Sequence, residues 1–286
     1  MAVLRKTPTQ HVRGKVVLIT GAARGFGELL ARELAERGAR LALLGLEPER
    51  LAALARELGP NAAAFDCDVR DRTSVDTAVA AAAAHFGGID VAVANAGITA
   101  FGTLAELDPD RFEAVLDVNV NGVYRTLRAA YPHLATSRGY ALVVASMAAA
   151  IHSPLQAHYC ASKAAVTAMA DSLRLEARVD GVDVGCLHPT FAATDLMVQT
   201  HDDPAGGQLW GGNKKLSLWS MVEPAQVVAT MVRMIERRSR RAAVPDHLLP
   251  VVWLDGVVQP LLERTFTRGK VRRLRDAARG AARGGN

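Results

Sequence analysis

Cysteine is scarce in this chain: three residues, at 67, 160 and 186, lie far apart in 286 positions and form no Cys-x-x-Cys pair. So few, and an odd number, argue against a disulfide framework or a cysteine-built metal site and point to a reducing compartment. The eight histidines show no His-Glu-x-x-His or His-x-His spacing, so no metal site is expected. Long apolar runs are also missing. The best candidate, residues 248–262, is broken by Pro250, Asp255 and Pro260, which argues against a membrane span. Residues 1–13 are somewhat basic, but no apolar run follows, so no secretory leader is expected and the expected location is cytoplasmic. The net charge of +5 is uneven: residues 263–286 carry eight Lys or Arg against two acids, so the rest of the chain sums to −1. That basic character belongs to a tail, and no nucleic-acid partner is expected.

What is present is a regular alternation. Short apolar segments at 15–20 (KVVLIT), 41–44, 62–65, 91–94, 142–145 and 183–187 read as strands. Between them, 28–37, 48–58, 72–86, roughly 110–134 and 157–179 read as helices. Buried strands alternating with helices imply βαβ units with right-handed crossovers. The expected fold is therefore α/β, a Rossmann-like doubly wound parallel β-sheet with helices on both faces. No internal repeat and no linker interrupt the chain before residue 190. The expected organisation is an N-terminal extension over 1–13, one catalytic domain over 14–245, and an apolar-then-basic C-terminal extension over 246–286.

Residues 20–27 (TGAARGFG) fall between the first strand and the first helix. Gly21 permits a tight turn, Gly25 allows backbone to approach a pyrophosphate, and Gly27 allows close helix–strand packing. Arg24 and Phe26 lie in the same turn, whose amides and helix dipole favour phosphate. The spacing is TGxxxGxG, one residue different from GxGxxG, and in this form the segment resembles the short-chain dehydrogenase/reductase family. Further matches follow in order. Asp68 and Val69 follow the third strand, where the family sets its Asp against adenine. Asn95, Ala96 and Gly97 resemble the family's Asn-Ala-Gly turn along the cofactor, and Asn119 falls where the family places a helix-kinking Asn.

Tyr159-Cys160-Ala161-Ser162-Lys163 is a Tyr-x-x-x-Lys signature, with Ser146 thirteen residues upstream at the end of the fifth strand. The i, i+4 spacing puts Tyr159 and Lys163 on one helix face. A free phenol titrates near ~10; an ammonium beside it, together with an oxidised nicotinamide, favours the phenolate. Tyr159 is thereby suited to pass a proton to or from a substrate oxygen, and Ser146 to orient that oxygen. The resemblance adds that Lys163 also holds the nicotinamide ribose. It adds that Asn119 frees a carbonyl for a water beside the lysine. It covers residues 14–197 and extends to Pro189 and Thr194 as carboxamide-side residues, with Thr190 replacing the family's usual glycine.

The implied cofactor is NAD(H) or NADP(H). Gly45 and Leu46 offer no acid at the end of the second strand and Arg24 suits a 2′-phosphate, a slight lean to NADP(H); Glu47 weighs the other way. Residues 195–222, with Trp210, Trp219 and paired glycines, are expected to form a lid over a lipophilic substrate. For His152 and His158, satisfied or solvent-facing roles are favoured over substrate contact. For the tail, a frayed, solvated terminus is favoured over a grip on a second subunit or peripheral contact with an anionic membrane.

The expected activity is NAD(P)-dependent interconversion of a secondary alcohol and a ketone by a homodimer or homotetramer. The alternatives are a non-catalytic dinucleotide-binding redox sensor or scaffold, and an adaptor recruited through its basic tail.

Overall fold

A computed structural model describes residues 12–190, 192, 221–264 and 268–284. Seven parallel strands form one sheet in the order β3-β2-β1-β4-β5-β6-β7. They are β1 (Val16–Thr20), β2 (Arg40–Gly45), β3 (Ala62–Asp66), β4 (Val91–Ala94), β5 (Tyr140–Val144), β6 (Asp183–Pro189) and β7 (Arg241–Val244). The chain winds outward from β1 to β3, then returns to β4 on the other side of β1. This reversal opens a crevice at the carboxyl ends of β1 and β4.

Strand β1 is buried at every position because both faces of the sheet are covered. Its side chains alternate. Val17 and Ile19 join the core that contains Leu30 and Leu34 of α1 (Gly25–Glu36) and Met231 and Ile235 of α7 (Pro224–Arg237). Val16 and Leu18 join the opposite core. There they meet residues of α3 (Arg72–Phe86), α5 (Gly122–Ser137) and α6 (Ala157–Glu176). Helix α2 (Pro48–Leu58) packs beside β2 and β3 through Leu51 and Leu54.

The single helix expected over 110–134 is divided. Helix α4 (Pro109–Leu116) passes through a π-helical turn, Asp117–Asn121, into α5. A wider turn of this kind displaces the helical backbone locally and is common at functional sites. Strand β7 and α7 were not among the expected elements. Arg241–Val244 is only four residues long and reads as a strand because β6 pairs with it from Cys186 to Pro189.

After β7 come α8 (Leu249–Trp253), α9 (Asp255–Glu263) and α10 (Arg268–Gly284). Here the expectation of a frayed tail is corrected: α10 is a helix and Leu274 is buried against Leu155. The stripe was hidden because alanine completes it; Ala277 and Ala278 share the contact with Leu274. Among the described residues no helix is long and apolar enough to cross a membrane.

Gly185 shows how tightly β5 and β6 meet. A Cβ there would lie 1.9 Å from the Tyr140 hydroxyl and 2.4 Å from the Ser239 carbonyl, to which that hydroxyl donates. Gly185→Ala is expected to destabilise the protein by several kcal/mol, on the order of 3 or more, because backbone on one side cannot yield. A denaturant midpoint equal to that of the parent would contradict this.

Candidate active site

The glycine turn is shaped by contact. Gly21 has φ +65, and a Cβ on it would stand 2.9 Å from the Ala96 backbone. Gly25 also has a positive φ, +58. A Cβ on Gly27 would meet the Gly21 carbonyl oxygen at 2.2 Å, so this position accepts only glycine. The turn is stitched to the end of β4. Asn95 Nδ2 donates to the carbonyls of Thr20 (3.0 Å) and Gly21 (3.2 Å), while the Thr20 hydroxyl accepts from the amides of Asn95 and Ala96. No side chain caps the first turn of α1. Its amides are therefore available to an anion.

Around this turn lies a cavity of about 370 Å³. Gly21, Arg24, Gly25, Phe26, Asp68, Val69, Asn95, Ala96 and Gly97 all line it; Gly27 lies behind the turn as packing. The walls also include Cys67, Ile98 and Val118, which sequence reasoning did not select. Ile98 and Val118 carry no chemical signature, and only their position on β4's loop and the π-helical turn brings them in. Glu47 is on the wall too, where it accepts from Arg24 Nε at 2.8 Å and pairs with its guanidinium a second time. That hydrogen bond lowers the Glu47 carboxyl below its usual range. Asp68 is held likewise by Arg70, whose Nη2 donates at 2.7 Å.

At the far side of Gly97, four polar side chains converge. Ser146 ends β5 with an extended backbone, and its Oγ accepts from the Ala148 amide at 3.1 Å and reaches the Pro189 carbonyl at 3.5 Å. Burial pushes the phenol of Tyr159, in the first turn of α6, up to about 12, outweighing the lowering pull of the nearby Ser146 hydroxyl. Lys163 is almost fully buried, donates to the Val144 carbonyl at 2.9 Å, and sits 5.6 Å from the Tyr159 ring centre. Burial lowers its ammonium to about 8. Asn119, fully buried in the π-helical turn, accepts from the Ile98 amide (2.8 Å) and donates to the Ile98 carbonyl and to Ser162 Oγ, both at 3.0 Å. Gly97 separates it from the lysine: a Cβ there would lie 3.3 Å from Asn119 Oδ1 and 3.6 Å from Lys163 Nζ.

The structure thus gathers Asn119, Ser146, Tyr159 and Lys163 behind Gly97, off the wall of the cavity itself, with Pro189 beside Ser146. Thr194 and most of the expected lid, including Trp210 and Trp219, lie outside the described residues. His158 is buried, its Nε2 donating to the Ala100 carbonyl at 2.9 Å, and His152 is exposed. His188 was missed as a supporting group: its Nδ1 donates to the Ser146 carbonyl at 3.2 Å, behind the serine.

The cavity at the reversal of strand order, with an uncapped helix start facing it, defines a dinucleotide-binding α/β protein. A profile of the short chain dehydrogenase family matches residues 15–205. The D-threitol dehydrogenase of Mycolicibacterium smegmatis is 35% identical over 223 residues, covering 77% of this chain and 85% of that protein. The 11-beta-hydroxysteroid dehydrogenase 1A of Arabidopsis thaliana is 39% identical over 193 residues, covering 66% of this chain and 55% of the relative. A short chain dehydrogenase/reductase from Burkholderia phymatum, solved in complex with NAD, superposes with a TM-score of 0.75 at 26% identity, over 85% of this chain and 93% of that one. The chain belongs to the short-chain dehydrogenase/reductase family and is an NAD(P)-dependent oxidoreductase acting on CH–OH groups.

His188 makes one consequence of this burial measurable. Desolvation holds its imidazole down at about 4, against the weaker upward pull of the Ser146 carbonyl. Below the ordinary histidine value near ~6.5 the unfolded chain takes up a proton that the folded one refuses. Stability is therefore lost as pH falls from there to about 4, by roughly 3 kcal/mol in total. Denaturant titrations at pH 7 and pH 4.5 should show His188→Asn with a smaller pH-dependent loss than the parent; equal losses would contradict the assignment.

Proposed function

We propose that the protein interconverts a secondary alcohol and a ketone on a lipophilic substrate, with Tyr159 moving the proton. The observation that carries this reading is the placement of Tyr159 next to Ser146 and the buried Lys163, which lies against Gly97 on the wall of the glycine-turn cavity. The bound nicotinamide dinucleotide supplies or accepts the hydride. In the reducing direction the Tyr159 phenol, protonated at neutral pH, donates to the substrate oxygen while the Ser146 hydroxyl orients it. Lys163 keeps a positive charge within reach of the phenol, favouring the phenolate left behind. Asn119 is a positioning residue, tying the Ile98 loop to α6 through Ser162. In the binding cavity, the turn at Gly21 and Gly25, held in shape by Gly27 behind it, would take the pyrophosphate, and Asp68 and Val69 the adenine. Asn95, Ala96 and Gly97 would lie along the dinucleotide, and Pro189 and Thr194 are assigned to its carboxamide end.

Arg24 favours a 2′-phosphate, but its guanidinium is already held by Glu47, whose carboxylate on the same wall would repel that phosphate. The ion pair moves our reading to NAD(H). Glu47→Gln should raise the preference for NADPH over NADH roughly tenfold in fluorescence titrations, a change of ~1.4 kcal/mol. No change, or a shift toward NADH, would contradict the role given to Glu47.

The relatives named above act on substrates of opposite character, one a polyol and one a steroid. Ile151 and Leu155, within the segment joining Ser146 to Tyr159, and Phe101 packed on Leu155 make that side apolar and support the lipophilic choice. We read residues 14–245 as the catalytic unit of a cytoplasmic homodimer or homotetramer. Exposed Tyr124 on α5 and Leu175 on α6 are available for helix packing across a two-fold axis.

Turnover on a panel of ketones and polyols, with Tyr159→Phe as the comparison, tests the proposal. Nucleotide binding should survive in the variant while kcat falls by ~10²-fold or more. Turnover unaffected by Tyr159→Phe would remove the tyrosine from its role. Preference for small polyols would overturn the lipophilic assignment, and tight nucleotide binding without turnover would favour a redox sensor.

A further inference from the structure

The three helices after β7 lie beyond the residues that match the family profile, and the proposed chemistry makes no use of them. They are nonetheless packed against one stretch of chain, the segment joining Ser146 to Tyr159. Near its start, Met147 and Ile151 are buried with Leu248 and with Val252 of α8. Next, the His152 amide donates to Gln259 Oε1 of α9 at 2.9 Å, and Gln259 Nε2 donates back to the His152 carbonyl at 3.3 Å. Last, Leu155 is buried with Leu274 of α10, with Phe101, Ala277 and Ala278 around them.

Each helix therefore holds one successive point of the same segment. Leu155 itself has φ +67, a conformation rarely adopted by side chains other than glycine, so it depends on its surroundings. Its carbonyl accepts from the Gly102 amide at 3.1 Å, which joins the segment to the loop after β4. None of the residues in these contacts lines the nucleotide cavity. The buried stripe of α10 faces the protein, leaving Arg272, Arg273 and Arg275 outward.

We propose that the C-terminal extension is a fixed wall of the substrate side, positioning the Ser146–Tyr159 segment and, through Leu274 against Leu155 and Phe101, limiting the size of the ketone admitted. The size-selection part rests on the function proposed above; the bracing does not.

The test compares the parent protein with a truncation after Arg264, with Leu274→Ala and with Leu274→Met. NADH affinity should stay within about twofold in all of them, since the cavity is untouched. Hydrogen exchange in peptides spanning 147–156 should speed up ~10-fold or more in the truncation and in Leu274→Ala, and return toward the parent rate in Leu274→Met. With a small and a bulky ketone, the bulky-to-small ratio of kcat/KM should rise about 10-fold in Leu274→Ala, mainly through KM.

Unchanged exchange in both the truncation and Leu274→Ala would overturn the wall. So would binding of the parent to anionic phospholipid vesicles that requires α10 and releases the protection of 147–156, because the helix would then be a membrane contact. Should the truncation fail to fold, Leu274→Ala decides. Should exchange respond while the parent turns over no ketone, the bracing stands and the proposed reaction fails.

Discussion

At the carboxyl end of β1 two backbones come so close that no side chain fits between them. The Gly21 carbonyl lies where a Cβ on Gly27 would be, and the Ala96 backbone lies against Gly21 itself. This contact draws the start of α1 down onto the sheet beside the end of β4, at the point where strand order reverses. Thr20 and Asn95 lock it with hydrogen bonds that answer four backbone groups which strand pairing leaves open. The cavity and its uncapped helix start follow from that approach.

The cluster around Tyr159 is organised by burial. Lys163 and Tyr159 are pushed apart by the same lack of water, the ammonium down and the phenol up, each toward its neutral form. The lysine is held by a strand carbonyl, while the Ser146 hydroxyl near the tyrosine works against the rise of its phenol. Asn119 achieves its reach because the π-helical turn carries its side chain to both Ile98 and Ser162. A regular helix through 117–121 would project the residue differently. Behind the serine, neutral His188 holds the Ser146 carbonyl, so this pocket depends on a group kept neutral by its own burial.

Much of the fold was legible because its signals are local. Strand β4 and helix α2 have the bounds expected from apolar runs and from Pro48 at a helix start. The glycine turn, Ser146, Tyr159 and Lys163 were also legible, since glycine spacing and an i, i+4 pair are written in neighbouring residues. Strand β7 was not, because four residues of mixed character carry no period of their own. The role of α10 was hidden for a related reason: Ala277 and Ala278 look neutral until Leu155 and Phe101 stand opposite them.

The sequence by itself determined the layered α/β architecture, the family, and which residues are chemically suited to carry a proton or face a phosphate. These depend on residue type and short spacing, which hold whatever the rest of the chain does. Only the tertiary structure decided that Arg24 is tied to Glu47, 23 positions away, that His188 stands behind Ser146, and that the tail is packed on the segment before Tyr159. Those outcomes turn on which side chains meet after long loops have closed, and no local pattern encodes the partner of a contact between distant residues.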